Sequence, residues 1–173
     1  MFIVVPNLQN SEAYNDVYKA ESTYHANTHS QYGKSLYDRL GGIYSIAAVV
    51  DRFSDKIIDN PIVGVNSPNP YLREWSNNKS PTRLPGLKWM RTLWVASLAG
   101  GPYTYIGTHN NQKDDYDITN AHSSLHITSE EFDEVAKELV SAMQYYNSAW
   151  GREQDEVINV FYEHKKDVVN GNC

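Results

Sequence analysis

The sequence predicts an all-α domain. Three observations carry that prediction. Apolar residues recur at three- and four-residue steps in four stretches between positions 43 and 168. Helix punctuation falls at the ends of those stretches, and strand signals are poor. No internal repeat, P-loop or dinucleotide fingerprint is visible. The chain has 173 residues, 40% hydrophobic and 21% charged, which suits one domain around a modest core.

Residues 1–34 read as an N-terminal extension, partly irregular. NSEAYNDVYKAESTYHANTHSQYGK is polar, with no sustained apolar period beyond a short helix around Glu12 to Ala20. SLYDRLGG then reads as a short helix closed by glycine. In IYSIAAVVDRFSDKIIDNP, the residues Ile43, Ile46, Ala47, Val50, Phe53 and Ile57 share one helical face, and Pro61 lies just past the end. Residues 59–86 hold most of the prolines and read as loop, with Tyr71, Leu72 and Trp75 as an apolar island. LKWMRTLWVASLAGG is a second long helix with Leu87, Trp94 and Leu98 near one face, ended by Gly100, Gly101 and Pro102. Trp89 and Met90 read as core, or as a constriction on an apolar path. GTHNNQKDDYD follows without a core signal. A weak helix or loop surrounds His122. Thr128 and Glu131 form a capping box that opens a third helix, striped by Phe132, Val135, Leu139 and Met143. The fourth begins near Ser148 or Trp150 and carries Val157, Phe161, His164 and Val168.

Composition excludes several function classes. The net charge is −6 and no basic patch suggests a nucleic-acid surface. No apolar run approaches a membrane span. The opening MFIVVP is short and lacks a basic n-region, so no signal peptide is expected. The one cysteine, Cys173, allows no intramolecular disulfide, and a reducing, cytoplasmic location is the expectation. No C-x-x-C-H sequence is present for covalent c-type haem attachment. Among six histidines, His122 and His126 stand four apart before the capping box. On spacing alone, either, both or neither could hold a metal. As an i, i+4 zinc pair they would need further ligands, for which Asp114, Asp115 and Asp117 are near in sequence.

The ordered set SLYDRLGG, AVVDRFSDKIIDNP, LAGGPYTYIG and AHSSLHITSEEFDEVAKEL, followed by a closing amphipathic helix, resembles the truncated haemoglobins, group I most closely, over about residues 35–168. The resemblance implies a two-over-two helical sandwich around a non-covalent b-type haem, with residues 35–170 as the globin domain. It implies sharp turns at Gly41–Gly42 and Gly100–Gly101. His122 falls on the proximal position and becomes the expected iron ligand, while His126 falls where the family varies. Phe53, Trp94, Ile127 and Phe132 fall on haem-facing positions, and Lys88 is a candidate propionate partner. The distal positions are Ser54, Leu87 and Arg91. Ser54 departs from the usual tyrosine, and Arg91 stands where glutamine is frequent; arginine is permanently charged and offers five donors. The aromatic that normally stacks on the haem falls on Asn66 or Ser67, which cannot stack; Tyr71 and Trp75 are the candidates to supply the ring from a shifted loop over residues 64–80.

The implied function is reversible binding of dioxygen, nitric oxide or carbon monoxide at a five-coordinate iron, in oxygen binding or transport, by a monomer or weak dimer. One alternative is nitric oxide dioxygenase chemistry with a reductase partner, or weak peroxidase activity. Another, of a different class, is a haem-free globin-like interaction module. His29, with His25 in the extension, is a minor candidate for an internal sixth ligand.

Overall fold

The computed structural model describes residues 33–78, 83–103 and 118–171, and the backbone of 108–109 and 112–113. The expected helix at Glu12 to Ala20, His25, His29 and the aspartates at 114, 115 and 117 lie outside the described residues. Helix α1 spans Leu36–Arg39, α2 Gly42–Asp59, α3 Pro70–Asn77 and α4 Arg83–Leu98. Two-residue strands β1 (Thr108–His109) and β2 (Gln112–Lys113) pair antiparallel, Thr108 facing Lys113. Then come α5 (Ile118–His122), α6 (Ser129–Tyr146), α7 (Gly151–Glu163) and α8 (Lys165–Val168). Apart from that small hairpin, the described residues form an all-α fold.

Helix α2 is the centre of the sandwich. It packs against α4 on one side and α6 on the other, and α6 packs in turn on α7. Its apolar period explains this: Ile46, Val49, Val50, Phe53 and Ile57 are all buried. Each such side chain contributes roughly 1.5–3 kcal/mol when fully buried. The start of α2 has no side-chain cap of its own. Instead, the Tyr37 hydroxyl of α1 accepts the Ile43 N–H at 3.0 Å. Ser35 and Asp38 close a reciprocal capping box on α1, and Arg39 ties α1 to Glu153 at 2.8 Å and to Glu156 on α7.

The glycine pairs do what the sequence implies. Gly41, Gly42 and Gly100 all have positive φ, a region where a side chain is strained. At Gly101 the reason is space. An added Cβ would stand 2.5 Å from Tyr37 Cδ2 and 2.7 Å from the Ala96 carbonyl. That close approach lets the Tyr37 N–H reach the Ala99 carbonyl at 2.8 Å.

Four expectations are corrected. The expected loop over residues 59–86 contains α3 and the start of α4. Asn69 caps α3 by accepting from the Tyr71 and Leu72 N–H groups, and Pro70 occupies the first turn, where no intrahelical donor is needed. Helix α4 begins at Arg83 rather than Leu87, with Pro85 in its first turn. The buried side of α4 is Thr92 and Ala96, not Leu87, Trp94 and Leu98; Leu98 is exposed. Small residues there let α4 approach α2 closely. Trp89 is not core: it is 57% exposed. The closing helix is interrupted at His164, which ends α7 and starts α8. The capping box of α6 is present, with Thr128 accepting from the Glu131 N–H and Glu131 from the Thr128 N–H.

Candidate functional site

His122 is the last residue of α5. Its Nδ1 lies 2.7 Å from the Ile118 carbonyl oxygen, one turn back. A carbonyl only accepts, so Nδ1 carries the proton and Nε2 keeps its lone pair. Burial pushes the imidazole below its ordinary value, partly opposed by the Ile118 bond, and the Arg91 charge pushes it further down. A half-buried, neutral histidine with its tautomer fixed is a ready metal ligand. Leu125 and Ile127, just beyond it, are buried in the core.

Ser54 and Arg91 meet between α2 and α4. Ser54 is 1% exposed, and Arg91 Nη1 donates to its Oγ at 3.1 Å. The Arg91 guanidinium also lies 5.6 Å from the Phe53 ring centroid. Its pKa is pushed down to about 10 by burial and then by the nearby charge of Arg83. Among the described residues, no carboxylate stands within ion-pair distance of Arg91. The structure thus brings Phe53, Ser54 and Arg91 into one cluster, with the Arg91 charge felt at His122. Leu87 is half-buried one turn before Arg91.

The other expected residues are distributed differently. Ile127 and Phe132 are buried where α6 begins. Phe132 stacks on Phe161, with centroids 4.6 Å apart. Trp94 packs on the His164 ring at 5.3 Å. Lys88 is held by Asp55 at 2.6 Å and Asp51 at 2.8 Å, so two carboxylates of α2 already neutralise it. Asn66 is exposed, and Ser67 is fully buried with its hydroxyl donated to the Ile62 carbonyl at 2.6 Å. Of the two candidate rings, Trp75 packs on the core and Tyr71 is 49% exposed. Tyr71 lies on the His126 ring at 4.3 Å, and the Arg83 guanidinium covers Trp75 at 4.2 Å.

Two elements escaped the sequence reading. Arg83 stands close enough to lower the Arg91 pKa. Asn69 caps α3 and also donates to the Leu125 and His126 carbonyls and to Glu131 Oε2, each at 3.2 Å. The Asn69–Pro70 pair was the available signal, a cap residue followed by a first-turn proline. Among the described residues, no cluster of three or more His, Cys, Asp or Glu side chains could hold a metal ion. The donor set fits a planar iron chelate better: one neutral imidazole, apolar side chains and cationic groups.

Comparison with known proteins bears on the fold and the family. The truncated haemoglobin of Tetrahymena pyriformis in its Fe(III) form superposes with a TM-score of 0.62 at 20% identity, covering 79% of this chain and 99% of that one. The 2/2 haemoglobin of Synechococcus sp. PCC 7002, a cyanomet structure with covalently attached haem, gives 0.61 at 23% identity, with the same coverage. No curated protein matches the sequence. The family model of the bacterial-like globins matches residues 35–170. The chain therefore belongs to the bacterial-like, truncated globin family, whose members are haem-binding globins.

Proposed function

We propose that this protein binds dioxygen and other diatomic ligands reversibly at the five-coordinate iron of a non-covalent b-type haem. The observation that carries the reading is His122: its Nδ1–H is committed to Ile118, which leaves Nε2 with its lone pair, and it lies within the electrostatic reach of Arg91. When bound, a haem would supply an iron centre able to take a small ligand. His122 would hold the metal, its ring orientation kept by the bond to Ile118. Phe53, Ile127 and Phe132 supply apolar surface, and Trp75 supplies the stacking ring. Trp94, Lys88 and Leu87 complete the proposed lining, with Lys88 partner to a propionate if it exchanges its aspartates. On the distal side, the Arg91–Ser54 pair supplies the hydrogen-bond donor to bound ligand.

An enclosed guanidinium with no carboxylate in ion-pair distance among the described residues also favours ligands that gain negative charge. That observation supports a second reading, weak peroxidase activity or nitric oxide dioxygenation with a reductase partner. A cytoplasmic monomer or weak dimer completes the proposal; no helix among the described residues is long and apolar enough to cross a membrane.

The test is the absorbance spectrum of the purified protein, ferric, dithionite-reduced and carbon-monoxide-bound. A Soret band that shifts sharply on carbon monoxide addition to the reduced form is expected. A Soret band absent even after hemin addition would leave the haem-free interaction module. His122→Ala should abolish axial ligation, and a wild-type spectrum in that variant would refute the assignment.

A further inference from the structure

We infer that Asn170 is a positioning residue for the His122 imidazole, latching the turn that carries it through both ends of its side-chain amide. The inference rests on His122 as the iron ligand. Between α5 and α6 the chain turns over residues 123–128 without helix or strand to satisfy its backbone groups. His126 in this turn has φ 49°, a positive value that, among the described residues, no other non-glycine shares. Such a conformation persists only where its surroundings fix it.

Asn170 supplies that fixation from one side. Its Oδ1 accepts the Ile127 N–H at 3.0 Å. Its Nδ2 donates to the Ser123 carbonyl at 2.8 Å and to the carbonyl of His122 itself at 3.4 Å. One side chain therefore bridges the turn from Ser123, its first residue, to Ile127. The backbone N–H groups of Asn170 and Gly171 add bonds to the Ile127 carbonyl at 3.0 and 2.9 Å. The tail lies so close that a Cβ on Gly171 would stand 2.3 Å from the His126 carbonyl oxygen. Asn69 holds the opposite side through Leu125 and His126. The Ile118 bond fixes the ring of His122, and Asn170 fixes the backbone from which that ring hangs.

The Asn170 side chain is exposed, so changing it opens no cavity. Its backbone bonds to Ile127 survive substitution, and only the side chain reaches Ser123 and His122. Asn170→Asp keeps the acceptor for Ile127 but loses both donors, and it sets a carboxylate against two carbonyls. Asn170→Ala loses both functions.

The experiment compares both variants with the parent holoprotein by resonance Raman of the reduced, unliganded form and by the rate of hemin loss to an excess acceptor. The expected result is a shifted or broadened iron–histidine stretch and hemin loss faster by about tenfold, the lower range for removal of a group that orients a metal ligand. The same substitutions are then made in His122→Gly, with free imidazole as the axial base. There the base is not attached to the turn, so Asn170 variants should match their His122→Gly parent. An unchanged stretch in both Asn170 variants would overturn the latch while leaving His122 as ligand. An equal effect with free imidazole would also overturn it, since the action would not pass through the His122 backbone. If His122→Gly retains a wild-type spectrum without imidazole, the ligand assignment falls and the latch falls with it.

Discussion

Replacing Arg91 with leucine separates function from stability in opposite directions. The guanidinium is enclosed and donates to Ser54 Oγ at 3.1 Å, and among the described residues no carboxylate stands within ion-pair distance of it. Burial is what pushes its pKa down to about 10, with Arg83 adding to it, so the side chain is still charged at neutral pH. A hydrogen bond from a charged donor contributes about 1.5–3 kcal/mol. If Arg91 supplies it to bound dioxygen, its loss speeds ligand release roughly 10- to 100-fold, at about 1.4 kcal/mol per tenfold. Stability should behave otherwise. An apolar side chain of similar size in place of a buried, uncompensated charge is neutral or stabilising, so the apoprotein melting temperature should hold or rise. Stopped-flow displacement of dioxygen by carbon monoxide reads the first quantity, and calorimetry reads the second. Release within twofold of wild type would refute Arg91 as a donor. A melting temperature lowered by several degrees would refute the argument about its charge.

Other predictions follow from the fold. Thr128→Ala removes the cap of α6 and should cost about 1 kcal/mol, or about 2–4 °C in a domain of this size, read by circular dichroism. Gly101→Ala forces a methyl against Tyr37 and the Ala96 carbonyl; overpacking of this kind costs about 1–3 kcal/mol, seen as a lower urea midpoint. Arg39→Gln releases α1 from α7, and its effect should depend on pH. Arg39 holds the Glu156 carboxyl below the usual carboxylate range. The contribution is therefore present at and above that range and lost as pH falls through the depressed value. The melting gap between Arg39→Gln and wild type should be constant near neutrality and close in acid; a constant gap throughout would assign it to packing.

Helices α2 and α6 were legible because each states its period and its ends locally. Phe53 and Ile57 lie on the face their spacing predicts, and Thr128 with Glu131 marks α6 to the residue. Helix α3 was less legible: its eight residues hold one fully buried apolar side chain, Leu72, and its cap doubles as a tie to a turn 56 residues away. The buried side of α4 was misread because large residues were weighted above small ones, whereas close approach to α2 selects Thr92 and Ala96. At the site, resemblance marks Ser54, Arg91 and His122, whereas the contact between Arg91 and Ser54 joins two helices and forms only on folding. Nothing in the spacing of Asn170 from His122 announces a bond between them. Lys88 was placed as a propionate partner without regard to Asp51 and Asp55, which lie on another helix and reach it only after folding.

The pairing of Ser54 with Arg91 leaves one question that a double-mutant cycle settles. A serine in place of a phenol is short, and its Oγ already accepts from Arg91, which leaves its own O–H to donate. Two mechanisms fit this geometry. Arg91 can donate to ligand directly, with Ser54 as its resting acceptor. Alternatively, Ser54 donates, and Arg91 orients and polarises the hydroxyl from behind. If Arg91 donates directly, Ser54→Ala changes dioxygen release little and Arg91→Leu costs the same in either background. If Ser54 donates, Ser54→Ala alone speeds release, by about fivefold for a neutral bond of about 1 kcal/mol, and Arg91→Leu adds nothing to it. Residues that act as one unit show coupling of about 0.5–3 kcal/mol, whereas independent ones add. The burial of Ser54, the single contact that Arg91 makes with it and the absence, among the described residues, of a carboxylate to draw the guanidinium away favour coupling. Strict additivity of the two substitutions would show that the 3.1 Å contact is not used when ligand is bound.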